Sequence, residues 1–134
     1  VGEPESARAA ARRTLARTEK IVAIEPDNGS AMSYLVTSLI LLGERERAGD
    51  WMRRALLLDP DNQHMRYNFA CDLVLVGDLE PAIDMLAPLA KVVSQEFFNW
   101  WCADPDLDAL RGLPRFRTML AEVEARFLPA ASGH

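Results

Sequence analysis

The two side chains best suited to nucleophilic chemistry are His64 and Cys71. A histidine could act as the base and a cysteine as the nucleophile if the two met within hydrogen-bond distance. Their separation places both on one face of a helix, but about two turns, roughly 10 Å, apart. This is too far for proton transfer, and the sequence shows no Ser-His-Asp set or glycine-rich phosphate loop. We therefore predict no catalytic residue and no bound cofactor.

The densest acidic run comprises Asp104, Asp106 and Asp108. Paired carboxylates could act as acid and base or bind a cation. The run lacks the apolar surroundings that would separate the pKa values of two carboxyl groups. A calcium loop needs a glycine and a glutamate at set offsets, and Pro105 and Leu110 do not fit it. We predict a solvated turn with helix caps and no metal site, and hence a protein that is not an enzyme.

The composition indicates one soluble globular domain. The 134 residues are 49% hydrophobic and 26% charged, which is typical of a folded domain of this size. The longest apolar run, residues 35–42, is far shorter than the roughly 18 residues of a membrane span and is interrupted by Thr37 and Ser38. The net charge is −5, and only residues 1–20 have more cations than carboxylates. Because nucleic-acid binding needs clustered Lys and Arg, we predict neither a membrane nor a nucleic acid as a partner.

The cysteines and the start of the sequence indicate the cellular compartment of the protein and the extent of its chain. Cys71 and Cys102 each follow apolar residues and have no cysteine nearby, which favours buried thiols in a reducing compartment. We therefore predict a cytoplasmic protein. The sequence starts with Val1 and shows no signal peptide, so we expect it to be part of a longer chain.

The strongest pattern in the sequence is a 34-residue internal repeat. It relates residues of the same type in successive stretches, namely Pro26 and Pro60, Gly43 and Gly77, and Ala48 and Ala82. A fixed period of this length is typical of helical repeat proteins. Apolar residues recur at spacings of three and four on both sides of each glycine, which predicts two helices per unit. The glycine would end the first helix in a left-handed conformation, and the proline would end the second.

Two details of the repeat carry structural expectations. Ala48 and Ala82 are expected where the two helices of a unit cross, because a larger side chain would push the helix axes apart. Pro88 falls inside the second helix of its unit. It removes one helical hydrogen bond and clashes with the preceding turn, so we expect a kink or break near residues 84–87.

Period, glycine, alanine and proline together resemble the tetratricopeptide repeat family over about residues 5–103. The resemblance implies an all-α fold, an antiparallel helix-pair solenoid with about two full repeats, flanking helices and a C-terminal capping helix. Within one domain over 1–134, the second helix of a truncated repeat would lie at 5–25 and full repeats at 29–62 and 63–94. A degenerate repeat start would follow at 95–103, and a turn and capping helix at 104–128.

The C-terminal stretch carries a second resemblance. Its aspartates around Pro105 and its Leu-Pro-Arg-Phe at 113–116 resemble the ends of repeat domains in bacterial signalling regulators. This implies that the sequence belongs to a larger bacterial signalling or regulatory protein. The final helix, predicted from Pro114 to Phe127, shows one apolar stripe, which would cover the last exposed face of the repeats.

In proteins of this family the first helices of successive repeats line a concave groove that binds peptides. The resemblance places seven residues in that groove: Ser33, Thr37, Ile40, His64, Tyr67, Asn68 and Cys71. We expect them to bind a peptide or protein segment, including a segment of the parent chain. No lysine accompanies Asn68, so recognition of a terminal carboxylate by the family's lysine and asparagine clamp is not expected.

The alternative function is a scaffold that forms a homodimer and brings together domains elsewhere in the parent chain. Four rings crowd one predicted helix: Phe97, Phe98, Trp100 and Trp101. One helix cannot bury four rings on one side, so at least one should face outward or toward the capping helix. Trp100 and Trp101 are the predicted contact residues.

Overall fold

A computed structural model describes residues 5–129, and every regular element in that range is helical. Seven α-helices and one 3-10 helix follow one another: α1 (Glu5–Ile24), α2 (Gly29–Leu41), α3 (Arg45–Leu58), α4 (Gln63–Leu75), α5 (Leu79–Ala90), α6 (Gln95–Ala103), the 3-10 helix (Pro105–Leu110) and α7 (Pro114–Phe127). The predicted all-α class is confirmed. None of the described helices is long and apolar enough to cross a membrane.

The helix ends repeat with the period of the sequence. Helices α2 and α4 begin one repeat period apart and also end one period apart, and the starts of α3 and α5 show the same offset. Gly43 and Gly77 have φ angles of 80° and 87°, the left-handed conformation predicted for the end of each first helix. The side chains of Asn28 and Asn62 cap α2 and α4 by accepting backbone N–H bonds of 2.9 and 3.0 Å.

The described residues fall into two compact units, of which the first ends at Asp72. In this unit α2 packs against both α1 and α3. The connection from α2 to α3 is only residues 42–44, as in an antiparallel helix pair. The apolar stripes of these three helices and of the first part of α4 supply the core: Ala11, Leu15 and Val22 of α1, Met32, Leu35, Val36 and Leu39 of α2, Ala48, Met52 and Ala55 of α3, and Met65, Phe69 and Ala70 of α4. Ala48 is completely buried, as its predicted place at a helix crossing requires.

The second unit begins at Leu73, and in it α5 packs against α7 and the 3-10 helix. Its core comprises Ala82, Ile83, Leu86, Trp101, Leu107, Leu110, Phe116 and Val123. Arg126 of α7 donates hydrogen bonds to the carbonyl oxygens of Ala90 and Val93, just where α5 ends. Helix α7 therefore covers α5 with one apolar face, which confirms an amphipathic final helix from Pro114 to Phe127.

The predicted break near residues 84–87 is wrong, because α5 continues through Pro88 to Ala90, whereas a kink there stays a prediction. A proline deletes only its own N–H, so the one helical bond it removes is the bond to the carbonyl of Asp84. The helix ends two residues beyond Pro88, and little helix remains for the proline to disturb.

Candidate protein-binding surface

The seven residues predicted to line a groove all lie in the first unit, on α2 and on the part of α4 up to Asp72. Helix α2 positions the first three, and α4 positions the other four. Asn28 and Asn62 fix where these helices start, and the glycines after them fix where they end. The face is thus presented by two helices of equal length with equivalent caps. We call the seven residues the α2/α4 surface.

The seven residues of the α2/α4 surface differ in how far they are exposed to solvent. His64 and Asn68 are exposed, and Thr37, Ile40 and Cys71 are half-buried. Ser33 and Tyr67 are only 3% and 5% exposed, so their prediction as ligand contacts is wrong. Ser33 faces α4, where it accepts a hydrogen bond from Asn68, because a helix inside a repeat array is covered on two sides and not on one.

Two pairs of side chains join α2 to α4 by hydrogen bonds across this surface. Asn68 donates from Nδ2 to Oγ of Ser33 at 3.0 Å. The hydroxyl of Thr37 lies 3.0 Å from each carboxylate oxygen of Asp72 and donates to them. Each pair is separated by 35 residues in sequence, one period plus one. The bonds therefore join equivalent faces of two first helices and hold them at one register.

Sequence reasoning missed Asp72, which is 4% exposed and contacts Thr37. The sequence did contain a signal for this contact, because Thr37 and Asp72 have the same spacing as Ser33 and Asn68. A buried carboxylate needs hydrogen-bond donors, since desolvation without them costs several kcal/mol. Asp72 is therefore a structural anchor of the α2/α4 surface and not a ligand contact.

Replacing Thr37 by valine is expected to lower the free energy of unfolding by about 1–3 kcal/mol, because the buried carboxylate of Asp72 loses this donor at unchanged side-chain volume. Urea denaturation followed by circular dichroism measures the change. Ser38→Ala is the matched control, since the Ser38 hydroxyl bonds only the Tyr34 carbonyl of its own helix and its loss should matter less. Equal losses in the two variants would contradict an anchoring role for the Thr37 bond.

The two tryptophans predicted as contact residues lie in the second unit and differ in their exposure to solvent. Trp100 is 62% exposed, whereas Trp101 is completely buried. The prediction of Trp101 as a contact residue is therefore wrong, because its ring packs edge-on to Phe97 and Phe98. The expectation that at least one ring faces outward or toward the capping helix is confirmed, because Trp100 is exposed and the ring of Phe98 lies 6.2 Å from that of Phe127. Self-association through Trp100 stays a prediction.

Asp104 forms the predicted helix cap, but it is buried and not solvated, whereas Asp106 and Asp108 are exposed. Asp104 accepts a 2.9 Å bond from the N–H of Asp106 at the start of the 3-10 helix, and Asp108 forms an ion pair with Arg111. Arg111 also donates to the carbonyl oxygens of Trp101 and Asp104, at 3.0 and 2.7 Å. These hydrogen bonds and this ion pair stabilise the turn after α6.

Cys102, which sequence reasoning placed in the interior, is exposed on α6. Partial burial still raises the pKa of its thiol, an effect that the charge of Arg111 opposes and that of Glu124 reinforces. A raised pKa leaves less thiolate at neutral pH, so this thiol is a poor nucleophile.

Comparison with known proteins adds no relative to this description, because no family model, no curated protein and no solved structure matches the chain. The function of the chain is therefore inferred from its own geometry.

Proposed function

We propose that this chain is a tetratricopeptide-like module that binds a peptide or protein segment as part of a larger bacterial signalling or regulatory protein. The spacing of α2 and α4 by one repeat period and the left-handed glycine after each support the repeat assignment. A cytoplasmic location belongs to the same proposal and is supported by Cys71 and Cys102, which form no disulfide within residues 5–129.

The observation that carries the binding proposal is the set of hydrogen bonds by which two pairs of side chains join α2 to α4. They hold two first helices in register, and beside them lie exposed His64 and Asn68 and half-buried Ile40. Asn68 uses one N–H for Ser33, so its carbonyl oxygen and second N–H can pair with a peptide backbone. Ile40 adds an apolar contact. A ligand of this surface is therefore an uncharged segment held by apolar contact and a few hydrogen bonds.

Peptides selected from a displayed random library against the full chain test this function. For a selected peptide, the double variant His64→Ala/Asn68→Ala is expected to raise Kd tenfold or more, since contacts near the centre of an interface carry most of its binding energy. Fluorescence anisotropy of the labelled peptide measures Kd, and thermal melting confirms that each variant is folded.

The matched control is the double variant Glu46→Ala/Arg53→Ala, which removes two exposed side chains from α3 in the same unit. It should leave Kd unchanged. If the His64→Ala/Asn68→Ala variant also binds with the affinity of the wild type, the α2/α4 surface is not where peptides bind.

A further inference from the structure

The turn after α1 and the turn after α3 lie side by side in the first unit. The first comprises residues 25–28 and the second residues 59–62. A Cβ on Gly29, the residue that follows the first turn, would collide with the carboxylate of Asp59 and lie 2.7 Å from Nδ2 of Asn62. The two turns therefore belong to one edge of the unit.

The same three kinds of exposed side chain recur around each of these turns. An apolar residue ends the helix, a cation precedes it by one helical turn, and a carboxylate follows it within the turn. The second set lies one repeat period after the first. We call these six residues the turn edge: Lys20, Ile24 and Asp27 at the first turn, and Arg54, Leu58 and Asp61 at the second.

The charged side chains of the turn edge have no structural task among the described residues. Lys20, Asp27 and Asp61 make no side-chain hydrogen bond or ion pair with another residue of 5–129. The guanidinium of Arg54 stacks on the ring of Trp51, with its centre 4.9 Å from the ring centroid. Stacking leaves the N–H groups at its edge available for a carboxylate. The fold of the two turns therefore does not explain why these charges recur.

The apolar side chains of the turn edge lie largely in solvent. Ile24 is 82% exposed and Leu58 is 44% exposed, and Leu57 beside it is 84% exposed. Leu57 and Leu58 end α3, which packs against α2 and is followed by α4, so their exposure does not depend on where the sequence starts. Neighbouring large apolar residues that stay exposed in a folded protein mark a contact surface.

The order of the charges makes the turn edge complementary to itself. In each set, the cation and the carboxylate lie on opposite sides of the apolar residue along the chain. A two-fold rotation about an axis that runs from the first turn to the second reverses this order and places each set opposite its own copy. Lys20 then faces Asp27 of the second copy, and Arg54 faces Asp61 of the second copy. The apolar residues meet their own copies.

We propose that the turn edge is the contact surface of a two-fold symmetric homodimer of this chain. Ile24 and Leu58 form its apolar centre, and four ion pairs surround them, as in interfaces with an apolar core and a polar rim. Ion pairs at a rim determine the orientation of the two copies more than the affinity. The turn edge shares no residue with the α2/α4 surface, so the dimer goes beyond the proposed peptide binding and does not depend on it.

Sedimentation equilibrium of the full chain tests the proposal. We expect a monomer–dimer equilibrium with a Kd below about 1 mM. Arg54→Asp and Asp61→Arg should each raise Kd at least tenfold, because like charges then face each other at two places in the dimer. An equimolar mixture of the two variants should associate with the affinity of the wild type, because each variant supplies the charge that the other lacks. Circular dichroism confirms that both variants are folded.

Leu58→Ser should also raise Kd at least tenfold, and Val92→Ser is its matched control. Val92 is 62% exposed at the corresponding repeat position of the second unit, where a proline and a glutamine replace the cation and the carboxylate. Its replacement should leave the dimer unchanged. The variant His64→Ala/Asn68→Ala should also leave it unchanged, so that failure of this proposal is distinguishable from failure of the α2/α4 surface.

Three results would overturn the proposal. The first is a chain that stays monomeric at about 1 mM. The second is a dimer that neither charge reversal weakens, or a mixture of the two reversed variants that stays monomeric. The third is a dimer that Trp100→Ala dissociates, because the contact would then lie at that tryptophan and not at the turn edge.

Discussion

Replacing Trp101 by alanine is expected to lower the free energy of unfolding by about 3–5 kcal/mol, a large part of the stability of a domain of this size. The Trp101 side chain is completely buried in the second unit. Its ring lies edge-on to Phe97 and Phe98, with centroids 5.9 and 6.1 Å away. Truncation removes both ring contacts and leaves a cavity that the surrounding helices can fill only in part. Urea denaturation monitored by circular dichroism measures the loss.

Trp100→Ala is the matched control, because it makes the same chemical change one residue away on the same helix. Trp100 is 62% exposed, and we expect its loss to change the free energy of unfolding by no more than about 0.5 kcal/mol. Similar losses in the two variants would mean that α6 presents a different face to the core.

Ala48→Arg is expected to unfold the first unit. Ala48 is completely buried on α3, where a larger side chain separates the packed helices at a cost of about 1–3 kcal/mol. A guanidinium without a partner in that position adds several kcal/mol of desolvation. The sum approaches the whole stability of a small domain. The helical circular dichroism signal and the melting temperature should both fall.

The control for this change is Ala10→Arg, the same substitution at an exposed alanine of α1. It should melt within a few degrees of the wild type, since surface substitutions change stability by about 0.5 kcal/mol or less. If Ala48→Arg melts with the wild type as well, small residues are not what permits the helices to cross.

The order and boundaries of the helices follow closely from the sequence, because the signals that set them are local. Gly43 adopts a left-handed φ without strain because it has no side chain. The side chain of Asn28 caps a helix by accepting a hydrogen bond from the backbone N–H three residues later. The final helix begins with Pro114, whose missing N–H suits a first turn, and runs to Phe127 as predicted. The wrong prediction of a break near Pro88 also came from a local signal. Its local cost is real, but packing of α5 against α7 outweighs the loss of one hydrogen bond.

The candidate site was less predictable, since exposure depends on neighbouring helices that a single helix pattern does not specify. Helical spacing puts Ser33, Thr37 and Ile40 on one face of α2, yet only the last two reach the surface. Spacing likewise could not say which of Trp100 and Trp101 would be buried.

The sequence by itself determined an all-helical chain, the period that relates its helices, and the turns that separate them. These depend on hydrogen bonds and backbone preferences within a few residues of each other. Only the tertiary structure decided that Asp72 anchors α2 to α4 and that Ser33, Tyr67 and Trp101 are interior. Each of these depends on which side chain a helix meets on a neighbouring helix far along the chain, and that is settled by the packing of whole helices.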